Sequence, residues 1–257
     1  MNWLKCITAA ALTATTGMAL AAPCTVTSPA HRVALVELFT SEGCSSCPPA
    51  DAWLRRLPAE GYGPDRVVPL ALHVDYWDYI GWKDRFASAR YSERQRAYSA
   101  IGNSRFVYTP QVVFDGRDFR GWSSAGAFEQ AVRAANATPA RAAITVSLDE
   151  KERGYSQLRV GAELPKDADH SSVSLYVVAY ANGQSTQVKA GENRGATLRH
   201  DYVVRQWFGP IPFDTHGRAQ LVERIAHSSP GGVAAFVQAP RTGEVLQATS
   251  LAYCRAD

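Results

Sequence analysis

The feature that most constrains this chain is a pair of cysteines two residues apart, Cys44-Ser45-Ser46-Cys47, set between an apolar run and an amphipathic stretch. Upstream, Val33–Phe39 is a short apolar segment with one acid, the pattern of a buried parallel strand. Downstream, Ala50, Trp53, Leu54 and Leu57 fall at i, i+3, i+4 and i+7, one face of a helix stopped by Pro58. The pair is therefore expected at a strand–helix junction, with the helix opening at Cys44. The first turn of a helix carries unpaired N–H groups and the positive end of the helix dipole. Both favour a thiolate on Cys44, with a pKa below the usual thiol value of about 8.5. Cys44 is then the nucleophile, and Cys47 the thiol that resolves a mixed disulfide. Two other readings of the pair stay open. One is a static structural disulfide, the other a copper(I) site in which His73 joins both thiolates. A structural zinc site is disfavoured, because no second Cys-x-x-Cys supplies its remaining ligands.

The oxidation state of such a pair depends on the compartment. Lys5, the apolar run Ile7–Leu20 and the small residues of Ala19-Leu20-Ala21 read as a secretory signal peptide over residues 1–21. Its removal takes Cys6 away and leaves Cys24, Cys44, Cys47 and Cys254, an even set for a periplasmic or secreted protein. No membrane span is expected after cleavage. With the 44/47 pair set aside, Cys24 and Cys254 are left to form a structural disulfide between the two ends of the mature chain. The chain-entropy model gives about 5 kcal/mol for so long a loop. The alternative is a second shuttle pair. At 46% hydrophobic and 20% charged, the chain is neither disordered, collagenous nor multi-spanning. A formal charge of +3 gives no support for nucleic-acid binding.

The patterning divides near residue 140. From His31 to about Asn136 the order reads βαβαββα. The second strand is expected over 66–74, and a capping box at Ser92–Gln95 opens a helix. The third strand covers Gln111–Phe114, Asp115-Gly116 makes a tight turn, and a helix carries Phe128, Val132 and Ala135. Beyond Pro139, strands are expected over 143–148, 155–162, 173–180, 197–205, 233–238 and 245–249, with a short helix near 219–225.

Three segments carry a resemblance. They are Glu37–Asp51 (ELFTSEGCSSCPPAD), His73–Asp78 (HVDYWD) and Tyr108–Gln111 (YTPQ). Together they resemble a family of secreted bacterial proteins of unknown function, expected to be thioredoxin-like with a C-terminal β-rich extension. The resemblance implies an α/β fold, with a thioredoxin-like βαβαββα domain over 30–138 followed by a β-sandwich-like domain over 141–257. It implies a periplasmic thiol–disulfide oxidoreductase in which Cys44 and Cys47 are the redox pair. Pro110, after Thr109, is the cis-proline that faces the cysteines and shapes a substrate groove. Glu37 is a buried acid that relays a proton. Trp77 and Thr109 are substrate-binding candidates. No cofactor is called for, and the partner is a protein or a small thiol or disulfide. The alternative is a copper(I)-binding or partner-binding module without turnover.

Other residues are read both ways. His73 and Asp75 end the second strand, as a general base and ligand or as a satisfied loop pair. Tyr76, Trp77, Tyr79 and Trp82 are a docking surface or a small core. Arg85, Arg90, Arg94 and Arg96 read as a solvated helix face. Gly191–Gly195 is a turn between strands, and His200, His216 and His227 are scattered with no metal role.

Overall fold

The structure, a computed structural model, describes residues 24–152, 154–227 and 230–254. The signal peptide expected over 1–21 lies outside the described residues. The first half contains β1 (Cys24–Thr27), β2 (Ala34–Thr40), α1 (Pro48–Arg56), β3 (Val67–His73), α2 (Ala89–Ile101), β4 (Gln111–Phe114), β5 (Arg117–Asp118) and α3 (Ala125–Asn136). The second contains β6 (Ala143–Glu152), β7 (Tyr155–Glu163), β8 (Ser174–Ala181), β9 (Gln184–Gln187), β10 (Thr197–His200), β11 (Val203–Pro212), β12 (Arg218–Ala226), β13 (Gly231–Gln238) and β14 (Val245–Ala252).

Strand pairing crosses the division between the halves. β2 lies parallel to β3, from Ala34 opposite Val67 to Thr40 opposite His73, and β4 runs antiparallel along its other edge. The free edge of β3 is taken by β11, parallel at Val203 opposite Ala71, with the Ala71 N–H donating to the Tyr202 carbonyl at 2.8 Å. β8, β13 and β14 continue the same sheet antiparallel, giving the order β14-β13-β8-β11-β3-β2-β4-β5. A second sheet, β1-β6-β7-β12, covers one face of the β8–β14 end.

Alternation along β8 shows why one sheet serves two cores. Leu175, Val177 and Ala179 pack against Ile144, Val146, Leu158 and Val160 of the second sheet. Tyr176, Val178 and Tyr180 point the other way, into a core shared with Leu35, Phe39, Leu70, Leu72 and Phe236. A third core lies under α1 and α3, where Trp53, Leu54, Phe128 and Val132 meet Val36, Leu38 and Ala71.

The expected fold class is therefore corrected. The chain is mostly β, with large mixed sheets, and is not a thioredoxin-like α/β domain followed by a separate β-sandwich. Two sheets do lie face to face in the second half, but one of them is the sheet of the first half. The junction between β3 and β11 joins residues far apart in sequence, and long-range pairing leaves no mark on local patterning. Residues 218–226 form a strand where 219–225 suggested a helix, because β12 pairs with β7 over nine residues. β1 had no counterpart in the sequence reading. α2 begins one turn before the expected capping box, with Ser88 at its N-cap. Ser92 is inside the helix and donates its hydroxyl to Asp75. Asp115 and Gly116 form a turn with φ of +47° and +81°.

Candidate functional site

The cysteine pair occupies the turn between β2 and α1, at the carboxyl end of two adjacent parallel strands. The Cys44 N–H donates to the Ser41 carbonyl at 3.1 Å, and the Cys47 N–H to the Cys44 carbonyl at 3.2 Å. The two cysteines are joined in a disulfide, with Cα atoms 5.4 Å apart. Both are 0% exposed, whereas Ser45 and Ser46 between them are exposed.

The helix begins after the pair rather than with it. Cys47 is the N-cap and Pro48 and Pro49 form the first positions of α1. Proline suits that place because its missing N–H would be unpaired there. The N–H groups of Ala50 and Asp51 both donate to the Cys47 carbonyl. Few first-turn donors remain for a thiolate, contrary to the expectation from a helix opening at Cys44. The Ser46 hydroxyl stands closer, 3.4 Å from Cys44 Sγ.

Thr109 and Pro110 are brought to this turn. Their peptide bond is cis, and the Thr109 carbonyl lies 3.5 Å from Ser46 Oγ. The Trp77 indole N–H donates to Thr109 Oγ1 at 2.7 Å, and Gln95 Nε2 donates to the Tyr108 carbonyl at 2.8 Å. Trp77 also backs Gly43, where a Cβ would lie 3.1 Å from the Trp77 Cβ. Of the four aromatics read as one group, Tyr76, Trp77 and Trp82 are hydrogen-bonded into this region. Tyr79 is 83% exposed.

Glu37 is placed elsewhere. In β2 it shares a face with Leu35 and Phe39, opposite the face that meets α1. Arg94 Nε donates to its Oε1 at 2.6 Å, Arg94 Nη2 to its Oε2 at 3.0 Å, and the Tyr98 hydroxyl to Oε2. Gln238 of β13 completes the network, accepting from Arg94 and donating to Tyr98. Arg94, read from sequence as part of a solvated face, is thus the partner of a fully buried carboxylate.

The carboxylates that flank the pair are Glu42 and Asp51, and the sequence reading gave neither a role. They belong to a buried cluster with His73, Asp84 and His200. Asp84 Oδ2 accepts from the Glu42 N–H at 2.9 Å and pairs with His73 Nδ1 at 2.7 Å. His200 stands between the two flanking acids, its Nε2 3.5 Å from Glu42 Oε1 and its Nδ1 3.6 Å from Asp51 Oδ1. The His73 and His200 rings meet edge to face at 4.8 Å. Burial opposes a charge on His200, but Asp51 and Glu42 outweigh it and raise its pKa to about 9. Burial likewise pushes Glu42 upward, and contacts with His200, Thr186 and Trp82 bring it below the usual carboxylate value. Asp84 is held low by His73 against its own desolvation. Glu42 and Asp51 sit on either side of the cysteine motif, so their position was visible in sequence. His200 lies more than 150 residues away and carried no signal.

The β9–β10 hairpin delivers His200 and a second set of contacts. Its turn packs on the 75–83 segment, where a Cβ on Gly191 would meet Ile80 and Trp82 at 3.2–3.4 Å. Glu192 accepts from the Ser45 N–H at 3.1 Å, and hydrogen bonding to the Ser45 side chain, together with that N–H, lowers its pKa. Asn193 Nδ2 donates to the carbonyls of Glu42 and Cys44 at 2.8 and 2.9 Å. Among the described residues no three His, Cys, Asp or Glu side chains are grouped as a metal ion requires, so the alternative of a site from Cys44, Cys47 and His73 gains no support. Asp75 is tied to α2 by Ser92.

The remaining cysteines, Cys24 on β1 and Cys254 after β14, form a disulfide with Cα atoms 6.2 Å apart. It joins the two sheets at their ends. No helix among the described residues is long and apolar enough to cross a membrane.

Fold and site define a class: a mixed-sheet protein with a Cys-x-x-Cys disulfide at a strand–helix junction, closed over by a hairpin from its C-terminal half. Residues 35–238 match DUF1223, a family of unknown function, and the chain belongs to that family. No curated protein matches it significantly. Among solved structures it is similar to protein AGR_C_4864 of Agrobacterium tumefaciens, with 27% identity, 86% of this chain and 95% of that one covered, and a TM-score of 0.60. HBP35 of Porphyromonas gingivalis is similar in fold alone, at 13% identity, 87% and 76% coverage and a TM-score of 0.64.

Proposed function

We propose that this protein is a thiol–disulfide oxidoreductase of the periplasm or the secreted space, acting through Cys44 and Cys47. The observation that carries the reading is the disulfide itself, closed within a four-residue turn at the carboxyl edge of β2. A substrate thiolate attacks Cys44 Sγ, forming a mixed disulfide and releasing Cys47 as a thiolate. A second substrate thiolate then displaces Cys44, leaving an oxidised substrate and a reduced protein. The same steps reversed reduce a substrate disulfide, and the relative reduction potentials set the direction. Ser46, within 3.4 Å of Cys44 Sγ, donates to the Cys44 thiolate. The charged cluster of Glu42, Asp51 and His200 flanks the turn and exchanges the proton that Cys47 gains or loses. Thr109 and Pro110 form one wall of the approach. A second disulfide, Cys24–Cys254, and the signal-like N-terminus support an oxidising compartment.

The test is a pair of variants in a disulfide-exchange assay with a reporter protein. Cys44→Ser abolishes exchange, while Cys47→Ser accumulates mixed disulfides visible on non-reducing gels. Equal activity of the two variants would overturn the reading.

A further inference from the structure

Resting on that redox reading, the geometry points to the substrate class: we propose that the β9–β10 turn is a displaceable plug standing where an extended polypeptide substrate pairs with the cysteine turn. A thiolate must come within roughly 3–3.5 Å of a sulfur to attack it. Cys44, the cysteine that the exposed dipeptide presents, is 0% exposed. Something over it has to move.

The neighbours differ in how firmly they are held. α1 is anchored to the central sheet, the Glu42 N–H is held by Asp84, and Gly43 is backed by Trp77. The Tyr108–Pro110 segment is locked by Trp77 and Gln95. The hairpin is a two-stranded sheet of four residue pairs, separate from the large sheet; its base is held by buried Leu198 and His200 and by Arg55, which donates to the Arg199 carbonyl, so the displaceable part is the tip beyond Gly191. Its turn reaches the cysteines through two side chains, Glu192 and Asn193, and Glu192 is exposed.

The chemistry of those two contacts identifies what replaces them. Glu192 presents an acceptor to the Ser45 N–H, and Asn193 presents a donor to the Cys44 carbonyl. One acceptor and one donor are what the backbone of an extended residue offers through its own C=O and N–H. A polypeptide crossing the turn takes over these two of the three bonds while its cysteine reaches Cys44; the third, from Asn193 to the Glu42 carbonyl, is given up. A small thiol without a peptide backbone cannot make both bonds at once while its sulfur reaches Cys44, and meets a closed site. Glu192 and Asn193 thereby act as specificity-determining residues for polypeptides.

The experiment follows opening of the Cys44–Cys47 bond in the oxidised full-length protein by two thiols, 2-mercaptoethanol and a cysteine-containing decapeptide, with rates compared per thiolate and corrected for the difference in thiol pKa. In the wild type the decapeptide reacts faster by about tenfold, the equivalent of one to two hydrogen bonds. In Glu192→Ala/Asn193→Ala the small thiol accelerates by a similar factor and the gap closes. Glu192→Gln, which retains an acceptor, behaves as the wild type, and Ser45 amide exchange is protected in it but not in the double variant. Equal rates for the two thiols on the wild type, or an unchanged small-thiol rate in the double variant, overturn the proposal and leave the redox reading standing. If neither thiol opens the bond in any of these proteins, although a phosphine reduces it, both fall.

Discussion

A histidine buried between two carboxylates keeps its charge to a higher pH than a free one. With its pKa raised to about 9, protonated His200 stabilises the fold fully below its unfolded value near 6.5, and that contribution is lost as pH rises through about 9. The shift corresponds to a contribution on the order of 3 kcal/mol. Urea unfolding of the wild type is therefore expected to show a stability that falls between pH 6.5 and 9.5. The same series for His200→Gln is flat over that window, and parallel slopes would show that the charge is not shared as described. The lowered values of Glu42 and Asp84 act at the other end, with stability lost as pH falls through the carboxylate range. Arg94 makes the matching case on the opposite face of the sheet. Its side chain is 12% exposed and holds Glu37, which is fully buried. Arg94→Ala leaves that carboxylate unpaired and is expected to cost about 3–5 kcal/mol in denaturant unfolding, whereas Arg94→Met/Glu37→Leu recovers most of it. The pairing was illegible in sequence, because an arginine among alternating charges on a helix looks the same whether it meets water or a buried acid. The cysteines were legible because their spacing is local.

At the scale of elements, the start of α1 shows what local pattern conveys and what it misses. The apolar spacing of Ala50, Trp53, Leu54 and Leu57 marks the buried face of the helix, and all four are buried. Its first residue depends instead on Pro48 and Pro49, which place Cys47 at the N-cap. On the proposed mechanism, a Cys44 thiolate would then be stabilised by the Ser46 hydroxyl, 3.4 Å from Cys44 Sγ, rather than by backbone donors. Ser46→Ala is expected to destabilise the reduced form by about 1 kcal/mol, making the pair more reducing by about 20 mV. Equilibration of each protein with glutathione buffers measures the difference, and a potential unchanged by the substitution would return the role to the helix. The β9–β10 hairpin was the least legible element. A glycine-rich turn between strands is readable at Gly191–Gly195, but its landing place on the cysteine turn follows from the path of β8 and β11 through the large sheet.

That sheet decides how the whole molecule behaves. The shift in patterning near residue 140 invites a boundary, and both helix-rich and strand-rich halves are present in the chain. The core above β2 and β3 is nevertheless built from both. Phe39, Leu70 and Leu72 of the first half pack in one cluster with Val178, Val204 and Phe236 of the second. The Glu37 carboxylate is satisfied in part through Gln238 by way of Arg94 and Tyr98. Separated at residue 139, the first half would expose the edge of β3 at Ala71 and one face of its sheet, and lose the hairpin that bonds to the cysteine turn. Apolar surface of that extent and an unpaired strand edge favour association over folding. A fragment spanning 24–139 is therefore expected to lack a cooperative thermal transition and to aggregate, while the chain spanning 24–257 unfolds in a single step followed alike by far-ultraviolet circular dichroism and tryptophan fluorescence. A monomeric fragment with its own sharp transition would show instead that the first half is an independent unit and that the β3–β11 junction is a docking contact between two domains.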